Sequence, residues 1–264
     1  KSWKSIIHYF FRSILEKRFS KKLSKEELSK SINFNDFAAF LGRAVIGNVR
    51  AFIYACNYLS ENKQGSIGLP DIEKSLKYLA SEYYWPLLEE LKPKLGSYEP
   101  LIDPASKVAE TLYNLVSDSL SNPGYGPSCI VHRDHIERMK KVFEILEYAG
   151  FVTKLDSSRA MKSGGRGTRY ALNLCNLIEK ISPSRLTSEL FSNWLSYGKE
   201  LEIFKSGPLE NINLPDISDS KEIAILGMPI EVLQVSKAYP YAITENKINK
   251  LREIAIKTVG ELAD

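Results

Sequence analysis

The chain has 264 residues, 44% hydrophobic and 26% charged, which gives apolar content for a real core and length for one large or two to three small domains. A net charge of +4 excludes a binder that works through a global basic field, so any polyanion contact must come from local clustering of cations. Cys56, Cys129 and Cys175 are too few and too scattered for a disulfide framework, and no apolar run is long enough to span a bilayer, so a reducing, cytoplasmic setting away from membranes is expected.

The first 96 residues read as a helical bundle. The chain opens at Lys1 inside an amphipathic pattern, so a longer parent is expected; Trp3, Ile6, Ile7, Phe10, Phe11, Ile14 and Leu15 recur at three- and four-residue spacing and make one apolar face. Ser24 followed by Glu27 fits a capping box. A helix is predicted from Phe34 to Val45, and Gly47-Asn48 then breaks it and caps the next, whose face is Val49, Phe52, Ile53, Cys56 and Leu59. Asp71 opens another with Ile72, Leu76, Leu79 and Tyr83 inward, until Trp85-Pro86 interrupts it. No strand signal precedes residue 128.

A second unit is expected over residues 97–182. Pro104 to Leu120 is its first helix, the turn-rich Asn122 to Pro127 ends it, and Ile130-Val131 forms a short strand. One continuous helix from Arg133 to Ala149 buries Ile136, Met139, Phe143 and Leu146 and leaves Arg133, Arg138 and Lys141 outside, with Glu137 and Lys141 as a four-residue support pair. Gly150 stops it, and Phe151-Val152-Thr153 leads into the most informative stretch, Arg159 to Leu174. There Arg159, Lys162, Arg166 and Arg169 meet no acid, Gly164, Gly165 and Gly167 permit the positive φ of a tight hairpin, and Thr168, Tyr170 and Leu172 alternate with Arg169 and Ala171. Helices followed by a basic, glycine-tipped hairpin resemble a winged helix, which implies duplex DNA as partner. The contact residues on that reading are Arg133, Arg138 and Lys141 of the helix and Arg159, Lys162, Gly164, Gly165, Arg166, Thr168 and Arg169 of the wing.

Residues 183–222 read as a helix, Leu186 to Tyr197, followed by a polar, proline-punctuated linker with Ile203, Phe204 and Leu209 as docking residues. Residues 223–264 recover order as three short helices. Tyr239 to Asp264 resembles the helix-hairpin-helix-like end of the bacterial RNA polymerase alpha subunit, with Ile248, Leu251, Ile256, Val259 and Leu262 as core positions. Its turns, Tyr239 to Ala242 and Ile254 to Ile256, lack the glycine whose amides would hold a phosphate, so this unit is expected to pack or to bind a protein partner rather than to clamp DNA.

Gly47-Asn48-Val49-Arg50 resembles the sensor-2 turn in the lid of origin-recognition-type AAA+ ATPases, and a helical lid followed by a winged helix is also that family's order. The resemblance implies a nucleotide-sensing role for Arg50 and ATP with magnesium in the full-length protein. This chain has no G-x-x-x-x-G-K followed by Ser or Thr and no strand ending in paired acids, so it is expected to be no enzyme by itself and to hold no cofactor, the nucleotide module lying upstream of Lys1. Cys129-x-x-His132-x-x-His135 lacks a fourth metal ligand, and His132 or His135 is expected instead as a cap or a phosphate neighbour. The fold class is thus mainly α: a lid-like bundle, a winged helix with its β-hairpin, and a small C-terminal module. The competing function is a protein-interaction scaffold whose winged helix binds another protein.

Overall fold

Capping chemistry starts the helices close to where the pattern predicts. In α1 (Phe34–Ala44) the Asn33 side chain accepts from the Asn35 N–H at 2.8 Å, and Phe37, Phe40 and Leu41 are buried. Asn48 does the same for the Ala51 N–H at 3.1 Å and opens α2 (Val49–Asn62), which buries Phe52, Ala55, Cys56 and Leu59. Helix α3 (Leu69–Leu79) begins two residues before Asp71, whose carboxylate reaches back to the Gly68 N–H at 2.9 Å. The computed structural model describes residues 28–29, 32–62, 65–122, 124–181, 184–196, 198–217, 228–235 and 242–263. The expected helix over Trp3 to Leu15 and the Ser24–Glu27 box lie outside the described residues.

Trp85-Pro86 does not end the helix as expected. Proline has no N–H and its ring conflicts with the carbonyl four residues back, and the chain takes a π turn over Ala80–Tyr84, with the Trp85 N–H on the Ala80 carbonyl. It then continues as α4 (Trp85–Leu91), and the wider turn carries both Tyr83 and Tyr84 inward. After two 3-10 turns, α5 (Ile102–Leu120) buries Val108, Leu112, Tyr113 and Val116.

The remainder interleaves helices with a sheet. Strand β1 (Tyr125–His132) is longer than the Ile130-Val131 pair the sequence suggests. The helix expected to run unbroken to Ala149 divides into α6 (Arg133–Arg138) and α7 (Lys140–Tyr148) at Met139, which leaves helical geometry (φ −110°, ψ 27°) and is itself buried. Strands β2 (Val152–Ala160) and β3 (Arg166–Leu172), α8 (Leu174–Leu177), α9 (Ser188–Ser196) and β4 (Lys199–Ile203) follow. The sheet order is β2-β3-β1-β4, antiparallel at β2/β3 and β3/β1 and parallel at β1/β4. β4 lies in the passage expected to be linker, where Gly126 and Gly198 come so close that a Cβ on Gly198 would sit 2.5 Å from the Gly126 nitrogen. Within the described part of the passage Ile203, Leu209 and Ile212 are buried, while Phe204, also expected to dock, is exposed.

A continuous buried cluster runs from Leu28 to Ile212 across the expected boundary at residue 96. Phe151, at the entry to β2, joins the two sides: its ring meets Trp85 at 4.9 Å and Tyr84 at 6.2 Å, and its carbonyl accepts from the Tyr113 hydroxyl at 2.7 Å. Helix α9 closes over α1 through Phe191 stacked on Phe40 at 4.4 Å, and the Arg43 guanidinium donates to the carbonyls of Trp194 and Leu195. Ile230 and Ile248 are buried outside this cluster, in the C-terminal unit built from a 3-10 turn over Ile230–Leu233, α10 (Glu245–Glu253) and α11 (Val259–Ala263). Among the described residues no helix is long and apolar enough to cross a membrane.

Candidate nucleic-acid interface

The hairpin is built as its alternation predicts. Thr168, Tyr170 and Leu172 are buried on the face of β3 toward the helices, and Tyr170 stacks on Phe143 of α7 at 5.0 Å. Burial, with Glu147 bonded to its hydroxyl, pushes the Tyr170 phenol well above its ordinary range. Thr168, expected from the sequence as a DNA contact, is instead buried, its hydroxyl near the Ser157 carbonyl at 3.5 Å. Arg169 points to the opposite face, where the register aligns it with Ile130 of β1 and Glu202 of β4.

Strand β2 is one of the two edge strands of the sheet and is exposed from Lys154 to Ala160. The tip, residues 161–165, turns through Gly164 (φ +88°) and Gly165 (φ +81°), as their composition requires. Gly167 does something different from what was expected: its φ is ordinary, but a Cβ there would lie 2.5 Å from the Val131 carbonyl oxygen, 2.8 Å from Ile130 Cγ2 and 3.0 Å from Met161 Sδ. Ile130 and buried Met161 thus occupy the space above Gly167, and the tip folds back over the outer face of the sheet.

The four wing cations are not equivalent. Arg159 and Lys162 have exposed side chains with no partner among the described residues. Arg166 is exposed but ordered across the hairpin, donating to Ser158 Oγ at 2.6 Å and to the Ser158 carbonyl at 2.7 Å. Arg169 is largely covered and pairs with Glu200 of β4 at 2.7 Å, and its Nε is buried without an acceptor. A second β4 carboxylate serves the tip: Glu202 accepts the Lys162 N–H at 2.8 Å and the Ser163 N–H at 3.4 Å. The stretch that carries no acid of its own therefore receives two from a strand some thirty residues on.

The helical cations are compensated. Arg133 pairs with Glu137 at 3.4 Å, and Lys141 pairs with Glu144 at 2.9 Å while lying 5.4 Å from the centre of the Tyr98 ring. Arg138 donates to the carbonyls of Leu209 and Ile212, tying the segment after β4 to the end of α6. Two cations not singled out in the sequence also flank the site: Lys154 sits 3.7 Å from Glu147, and Lys205 sits 2.8 Å from Asp134, whose carboxyl it holds below the usual range.

Cys129, His132 and His135 diverge. His132 accepts the Asp134 N–H on Nδ1 at 3.2 Å and so caps α6, His135 bonds the Phe204 carbonyl through Nε2 at 2.9 Å, and the Cys129 thiol faces the core, where burial pushes it up to about 12. Among the described residues no group of three or more His, Cys, Asp or Glu could hold a metal ion. Arg50 occupies the first turn of α2, behind Gly47 (φ +82°) and the Asn48 cap, and the Asn48 amide reaches the Tyr83 hydroxyl at 3.3 Å. In the C-terminal unit the turn between α10 and α11 places Ala255 at φ +68°, and Glu261 accepts the N–H groups of Lys257 at 2.6 Å and Thr258 at 3.0 Å. These two bonds hold the Glu261 carboxyl below its usual range. Comparison of the chain with protein-family models, curated proteins and solved structures found no match.

Proposed function

We propose that residues 102–172 act as a winged helix that grips duplex DNA through its hairpin, with Arg159, Lys162 and Arg166 as the principal phosphate contacts. The observation that carries the reading is the pair of exposed cations, Arg159 and Lys162, without a side-chain partner among the described residues, near the tip of a hairpin across which Arg166 is held by Ser158. Support also comes from the order helix, strand, helix, helix, strand, strand with neighbours β2-β3-β1, which leaves the hairpin at one edge of the unit. Cations held on a rigid hairpin meet phosphates with little ordering cost, and each contact releases counterions. Helix α7 is the weaker element on this reading. Its outer side carries Lys140 and Lys141 but also Glu144 and Glu147, and the acids repel a phosphate backbone. Recognition is then largely independent of sequence, since a wing reaching phosphates reads no base edges.

Two further parts of the proposal rest on residues away from the wing. Arg50, in the first turn of a capped helix, is the nucleotide-sensing residue if the helical segment serves as an AAA+ lid, and Arg50→Ala then lowers ATP hydrolysis of the protein that carries the nucleotide module. Residues 228–263 serve packing or a protein partner, because the turns that would offer amides to a phosphate, Tyr239 to Ala242 and Ile254 to Ile256, carry no glycine. The test of the central claim is fluorescence anisotropy of a labelled 20-base-pair duplex. Binding that weakens steeply with salt and varies little with sequence is expected. No binding at about 50 mM salt, where such contacts are strongest, sends the hairpin to the protein-scaffold reading.

A further inference from the structure

The tip amides of the hairpin already hold an anion. Lys162 and Ser163 present adjacent backbone N–H groups on the same side of a turn fixed by Gly164 and Gly165, and both point at the Glu202 carboxylate. Consecutive N–H groups converging on one carboxylate form the kind of concavity that also takes phosphate oxygens. Glu202 reaches it from another strand, aligned in register with Ile130 and hence with Arg169. Its neighbour on the same face, Glu200, pairs with Arg169, whose Nε remains buried without an acceptor.

We propose that Glu202 is a resident phosphate mimic: without nucleic acid its carboxylate fills a phosphate site formed by the Lys162 and Ser163 amides, and a duplex phosphate displaces it when the wing binds. The inference rests on the DNA-binding reading above and adds to it a specific phosphate site and a built-in competitor. Displacement is cheap because these bonds lie at the exposed tip, and the longer one, at 3.4 Å, is near the limit for a hydrogen bond. The competitor also lowers non-productive affinity for other anions, since a carboxylate in place repels them.

Glu202→Gln keeps the shape and one acceptor for the tip but removes the charge. Under the proposal the variant binds the 20-base-pair duplex about threefold more tightly, the scale of one exposed charge interaction. If Glu202 merely braces the wing, the variant binds equally or more weakly, and that result overturns the proposal while leaving DNA binding itself intact. A second measurement does not depend on DNA. Inorganic phosphate titrated into the ¹⁵N-labelled protein shifts the Lys162 and Ser163 amide resonances in Glu202→Gln at concentrations that leave the unsubstituted protein unchanged. Shifts in the variant without duplex binding by either protein keep the phosphate site and discard the DNA reading. Identical titrations in the two proteins discard the phosphate site.

Discussion

Replacing Arg159 and Lys162 together by alanine removes the two wing cations whose side chains are exposed and without a partner among the described residues. Each phosphate contact contributes about 0.9 to the slope of log affinity against log salt, so the pair accounts for about 1.8. Referred to 1 M salt, where counterion release contributes nothing, that slope amounts to about a 30-fold loss of affinity at 0.15 M. Neither side chain packs against the core, so the thermal midpoint should hold, within the roughly ±0.5 kcal/mol of ordinary surface changes. Arg169→Ala is the matched control. Glu200 already neutralises that guanidinium at 2.7 Å, so the change moves the salt slope by much less than one. It lowers stability instead, because a half-buried carboxylate loses its partner. Anisotropy titrations at four salt concentrations for the three proteins decide the matter. A slope unchanged in the double variant, or lost through Arg169 alone, refutes the assignment of binding to the exposed tip.

Gly167→Ala should destabilise the chain by about 1–3 kcal/mol in urea titration, because the new Cβ meets the Val131 carbonyl at 2.5 Å and cannot be relieved without opening the β1–β3 ladder; a wild-type midpoint contradicts the close packing of the tip. Ala255→Gly should stabilise the C-terminal unit by about 1 kcal/mol, since Ala255 takes the left-handed position of a helix C-cap, with the Ile256 N–H on the Leu251 carbonyl. Hydrogen exchange at the Ile248 amide should slow accordingly, and unchanged exchange counts against that geometry. Glu73 is partly buried, which raises its pKa, but its bonds to Lys77 and to the Leu186 N–H outweigh this and hold the carboxyl below its ordinary value. A depressed folded value contributes stability above the ordinary carboxylate range and loses it as pH falls through the folded value. Glu73→Gln should therefore lower the melting temperature at neutral pH and close the gap to the unsubstituted protein in acid; a gap that persists at low pH removes the ionic account.

Local chemistry was readable from the residues alone. Asn48 behind Gly47 caps α2, and most apolar positions of α1 to α3, α5 and α7 are buried at helical spacing, although Val49, placed on the inner face of α2 by its spacing, is exposed and Ile53 only partly covered. The two-residue alternation of β3 put Tyr170 and Leu172 inward and Arg169 outward, because that period follows from the strand itself. Contacts between distant segments were not readable in the same way. β4 is a five-residue strand that owes its place to hydrogen bonds with β1 and to the Gly126–Gly198 approach, although Leu201 and Ile203 alternating with Glu200 and Glu202 carried a faint signal of it. From the sequence the wing was a run of four unopposed cations. Only the fold could supply Glu200 and Glu202 to it and give Arg138 the carbonyls of Leu209 and Ile212, whereas the inward turn of Thr168 was already in its alternation with Arg169. Electrostatic partners across a sheet are set by strand order and register, which arise from packing segments distant in sequence around a shared core, so local spacing could identify the cations but not which of them remained available.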